Sequence, residues 1–142
     1  MQPSFNTLLA NKPLQIVLIV AALAVGIYWY GQRSGEEKRK LNPDLPDNGS
    51  GIPHGWNPDV RATALYDVMS GVFTLTATKE AEWATCMTLT NDQLTAVYGA
   101  FNRRYCSDDD QTLTSWIKWE GGAYFGSVKD AFLHRLRSLN LN

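Results

Sequence analysis

The chain is short of the side chains from which most catalytic and metal sites are built. It has two cysteines and two histidines in 142 residues. Cys86 and Cys106 show no C-x-x-C spacing, and His54 and His134 stand alone, so a four-ligand zinc site is not on offer. A Cys86–Cys106 disulfide would need an oxidising compartment. A small buried thiol is the plainer expectation for Cys86. No phosphate loop and no nucleophile elbow occurs. Asp108, Asp109 and Asp110 lack the alternation and the glycine of an EF-hand loop and read as a solvated loop ahead of a helix. An enzyme is therefore not expected. An excess of one charge is lacking as well: 13 Lys and Arg face 14 Asp and Glu. Residues 55–142 alone carry eight basic and ten acidic side chains. The basic footprint of a specific nucleic-acid binder is missing, although Arg103, Arg104, Lys129, Arg135 and Arg137 could form a local patch for phosphate or anionic lipid.

What is present is an apolar run near the start. LQIVLIVAALAVGIYWY, Leu14 to Tyr30, contains no charge. At roughly 1.5 Å per residue it covers most of a hydrocarbon core roughly 30 Å thick. Lys12 and Arg33 flank it and can snorkel, and Tyr28, Trp29 and Tyr30 form an aromatic belt at one end. Asn11 and Pro13 suit a helix start. A single transmembrane helix over about 14–30, within an anchor of residues 1–40, is the expectation. A buried soluble helix, or a signal peptide cleaved near Ala22–Ala24, is the alternative. Arg33, Lys38, Arg39 and Lys40 outnumber the basic groups before the run, so the positive-inside rule puts the C-terminal part in the cytosol. In a virion membrane those labels would change meaning.

Residues 41–56 read as a linker. The stretch NPDLPDNGSGIPHGWNP, residues 42–58, holds four prolines and three glycines. It is either an extended spacer or an ordered strap pinned by Ile52 and Trp56.

Residues 57–142 have helical patterning throughout, which predicts an all-α domain of five short helices around one modest core. Asn57 and Pro58 open the first, with Leu65, Val68 and Met69 inward and Gly71 ending it. Thr78 is expected to cap KEAEWATCM, with Ala81, Trp83 or Ala84, and Met87 inward. VFTL, residues 72–75, is the one strand-like piece. Thr90 and Gln93 form a capping box before Leu94, Val97, Tyr98, Phe101 and Tyr105 on one face. TLTSWIKWE follows with Leu113, Trp116 and Ile117 inward, and a last helix from about Tyr124 to Leu139 carries Phe125, Val128, Phe132, Leu136 and Leu139.

The helix order, with LTNDQLTAVYGAFNRRY opening a long third helix and KWEGGAYF at a turn before the fifth, resembles a single annexin repeat over residues 59–139. The resemblance implies a calcium site made by the loop between the first two helices and an acidic side chain about forty residues on, a position that Glu120 fills. Ca²⁺ asks for several oxygens, carbonyls and a carboxylate among them. The loop here, SGVFTLTAT, departs from the family's Gly-x-Gly-Thr turn and keeps only Gly71. Calcium at Glu120 is the one cofactor implied; none is expected otherwise.

Together these features point to a membrane-anchored structural or adaptor protein whose partners are the bilayer and other proteins of a membrane or virion assembly, with self-association open. Four tryptophans after residue 55 exceed what so small a core hides, which nominates Trp56 and Trp119 as partner-facing. A calcium-dependent lipid-binding module is the alternative.

Overall fold

The structure, a computed structural model, describes residues 12–71, 73–106, 111–120 and 127–142. Side chains inside the first helix are described at 18–31 and from 40 onward. Among the described residues there are six helices: α1 (Lys12–Leu41), α2 (Pro58–Ser70), α3 (Thr76–Met87), α4 (Asn91–Tyr105), α5 (Leu113–Trp119) and α6 (Ser127–Ser138). No strand occurs among the described residues, so the all-α expectation holds there; residues 73–75 of VFTL form none, and Val72 lies outside the described residues. The chain divides into two compact units, residues 1–36 and 37–142.

In the first unit, residues 18–31 of α1 are all exposed, from Leu18 at 55 % to Tyr30 at 77 %. They include no charged side chain, so this stretch is apolar on every side rather than amphipathic. The expected membrane span over 14–30 is not met by what is described. Among the described residues no helix is long and apolar enough to cross a membrane. Residues 18–31 alone rise roughly 21 Å, short of a hydrocarbon core roughly 30 Å thick.

The second unit is built around α4. The main helix contacts run α2 to α4, α4 to α5, α5 to α6, α6 to α3 and α3 back to α2, a closed ring. Its core contains Leu65, Trp83, Leu94, Val97, Phe101, Ile117, Phe132 and Leu136, all inaccessible to solvent. Tyr66, Phe101, Tyr105 and Trp116 join α2, α4 and α5, with Tyr66 and Tyr105 stacked at 4.0 Å and Phe101 edge-on to Trp116 at 5.6 Å.

The helix ends follow local chemistry. Asn57 caps α2 through its side chain, with Pro58 in the first turn. Thr90 and Gln93 close the expected capping box on α4. A second box, Thr112 with Ser115, starts α5. For α3 the expectation needs correcting. The helix begins at Thr76, ahead of Thr78, and Leu75 at its N-cap offers no side-chain cap. Its buried residues are Trp83 and Cys86, three apart on one face, whereas Ala81 and Ala84 are exposed. Asp108–Asp110, Tyr124 and Phe125 lie outside the described residues.

The segment after α1 is an ordered strap and belongs to the compact unit that starts at Glu37. Turns close it on itself, with Asn48 N–H donating to Leu45, Ser50 to Asp47 and Ile52 to Gly49. Asn48 and Gly49 take positive φ values of 53° and 82°, which turns of this kind ask for and which Asn and Gly tolerate. Trp56 is half-buried and packs against the core.

Candidate functional site

A cleft of about 690 Å³ lies between the end of α2, the start of α3 and the last turns of α5. Met69, Trp116 and Trp119 supply its apolar wall, and Lys79 and Glu120 its charged part. Two features of the sequence put them there. Gly71 ends α2 in an extended conformation, and a Cβ at that position would lie 2.2 Å from the Thr74 hydroxyl, so the chain can turn tightly back into α3. Seven residues of α5 then bring Trp116 inward against the Tyr66–Phe101–Tyr105 cluster and leave Trp119, one turn on, 89 % exposed. Phe73 and Leu75, in the loop that leaves Gly71, are also exposed, at 94 % and 72 %. Trp119, Phe73 and Leu75 are the most exposed large apolar side chains described in this unit.

The charged part of the cleft is self-neutralising. Lys79 Nζ lies 2.5 Å from Glu120 Oε2, and both side chains are largely shielded, at 11 % and 15 % exposure. Lys129 Nζ donates to the Glu120 carbonyl. Gly71, where the loop after α2 begins, and Glu120 line the same cleft, but the group that meets the carboxylate is the Lys79 ammonium from the start of α3. Among the described residues no three His, Cys, Asp or Glu side chains come together. A calcium ion at Glu120 would compete with Lys79 for one carboxylate and find no second one in the described lining.

The two tryptophans nominated as partner-facing separate. Trp119 stands open at the mouth of the cleft, whereas Trp56 is an anchor of the strap. The basic residues that could have formed a patch are spread over structural tasks. Arg135 donates to the carbonyls of Met87 and Leu89, closing the C-terminal end of α3. Arg103 donates to Leu41 and Asn42, and Arg104 lies 3.4 Å from the Asp59 carboxylate. His54 and His134 are exposed.

Burial governs the titration of the thiols. Desolvation pushes Cys86 up to about 12, and Cys106 up to about 11. Neither forms a disulfide. Thiols so disfavoured as thiolates are poor nucleophiles at neutral pH. Arg61 is held more firmly protonated by its hydrogen bond to Glu82.

The sequence reading missed Lys79 and Met69 as cleft residues. Lys79 carried a faint signal, since it sits forty-one positions before Glu120 and is the lone base in the first turns of α3.

The class that fold and site define is a small all-helical bundle with an aromatic cleft. No family model, no curated protein and no solved structure matches the chain, so the annexin likeness rests on its sequence pattern alone.

Proposed function

We propose that the chain is a membrane-anchored adaptor: the apolar helix α1 lies in a lipid bilayer, and the five-helix unit docks another protein through the Trp119 cleft. The observation that carries this reading is the character of residues 18–31. A helix that is apolar on all sides and exposed on all sides is stable only where something apolar surrounds it. Residues 14–17 extend that character in sequence toward the length of a bilayer span, and Tyr28–Tyr30 form a belt near its other end. The positive-inside rule favours a cytosolic domain. Trp119, Phe73 and Leu75 supply the exposed apolar anchors that interfaces favour, beside a cleft able to receive a side chain.

The test has two arms. Expressed in cells, the protein should stay in the membrane pellet through alkaline carbonate washing, and a Leu23→Lys/Ile27→Lys variant should shift to the supernatant. Wild-type protein in the carbonate supernatant would refute the anchor. A photo-crosslinking residue placed at Trp119 should then give a discrete adduct in native membranes. Recovery of the intact protein only as an isolated monomer would count against docking.

A further inference from the structure

Of the two sequence alternatives for the segment between α1 and α2, extended spacer or ordered strap, the strap is the one found, and both ends of α4 hold it. At the α4 N-terminus the Asp92 carboxylate, wholly buried, accepts two main-chain N–H groups from the strap, from Asp47 at 2.8 Å and from Gly51 at 3.0 Å. Its neighbour Thr90 donates to the Gly51 carbonyl at 2.9 Å. At the other end of α4, Asn102 donates to the Lys40 carbonyl at 2.8 Å and Arg103 to the Leu41 carbonyl at 2.6 Å. These are carbonyls of the last residues of α1, which a helix leaves without partners of its own. Between the two clamps Gly99 gives the strap a flat seat. A Cβ there would stand 2.9 Å from both the Leu41 carbonyl and Pro43 Cδ. Gly51 is fitted as closely, since its Cβ would lie 2.7 Å from the Thr90 hydroxyl.

We propose that residues 42–56 are a latched strap on α4, with Asp92 as the latch whose loss releases the Asp47–Gly51 stretch from that helix. A buried carboxylate is a strong acceptor that satisfies two donors at once. Its loss frees both amides together, which gives the strap two discrete states instead of gradual fraying. Freed there, the strap would be a flexible loop between the Lys40–Leu41 end, still held by Asn102 and Arg103, and Trp56 on the core.

Amide hydrogen exchange on the full-length protein in detergent micelles tests it. In the wild type, the amides of Asp47 and Gly51 should exchange about 100-fold or more slowly than free peptide. In Asp92→Ala, strap protection should fall at least about tenfold while the amides of α2 and α4 keep theirs. Gly51→Val, which presses on Thr90 from the strap side and leaves α4 unchanged, should release the same amides. Unprotected strap amides in the wild type would overturn the proposal, as would protection that survives Asp92→Ala. Equal loss over the whole unit in both variants would also overturn it, because the strap would then be an inseparable part of the core.

Discussion

Cys86 shows how a single buried side chain sets a pH limit. Its thiol rises from an ordinary 9.0 to about 12 because burial in the core disfavours the thiolate. The unfolded chain therefore releases this proton near pH 9, whereas the folded chain keeps it until about 12. Across that window the unfolded state binds fewer protons, so stability falls as pH rises, by about 1.4 kcal/mol per pH unit for each such thiol. Cys106, pushed up to about 11, adds a shorter window of the same sign. Urea midpoints should drop between about pH 9 and 10 in the wild type and drop less in Cys86→Ala. Gly99 sets a steric limit. Gly99→Ala would force a methyl group against the Leu41 carbonyl and Pro43, and we expect a loss of about 1–3 kcal/mol, read as a lower melting temperature. At Glu120 the expected outcome is insensitivity. Because Lys79 already neutralises the carboxylate, millimolar Ca²⁺ should leave the melting temperature of the wild type unmoved, and a calcium-dependent rise that Glu120→Gln abolishes would restore the calcium reading.

Among the elements, α4 was the most legible in sequence and the strap the least, for one physical reason. The cap and stripe of α4 are local: Thr90 and Gln93 are three apart, and Leu94, Val97, Tyr98 and Phe101 repeat at helical spacing and are buried as that spacing requires. The strap is held by main-chain amides and by partners 39 to 62 residues away, and neither leaves a pattern in a sequence. The cleft falls between these cases. Trp119 could be singled out by residue type and Glu120 by its place in the annexin-like pattern, but the pairing with Lys79 depends on how the start of α3 meets the end of α5. The start of α3 was misplaced because Thr78 has the chemistry of a cap, while the tight turn at Gly71 and Thr74 sets the chain into helix three residues sooner. The end of α3 owes its closure to Arg135 on α6, which takes the carbonyls of Met87 and Leu89. Arg135→Met should therefore cost about 1.5–3 kcal/mol, as expected for hydrogen bonds to a charged donor, and chemical denaturation will measure it. A smaller loss, within about 0.5 kcal/mol, would mean that water replaces the guanidinium there.

For the molecule as a whole, the question is where the independently folding part begins. Composition places that border near residue 57, after the prolines and glycines. The contacts place it at Glu37, because residues 40–56 cover one face of α4. Without the strap, Asp92 would be left with neither strap donor, and Asn102 and Arg103 would lose the carbonyls they hold. Trp56, which packs against the core, would go as well. The buried carboxylate makes this loss more than the sum of its hydrogen bonds, since an acceptor deprived of its donors carries its desolvation cost uncompensated unless water reaches it. A fragment of residues 37–142 should thus unfold cooperatively, and one of residues 57–142 should melt at least about 10 °C lower if several kcal/mol are lost from a unit of this size. Calorimetry on the two fragments decides the point. Equal melting temperatures would show that the strap adds nothing to the fold, and the closed ring of α2 to α6 would then be sufficient by itself.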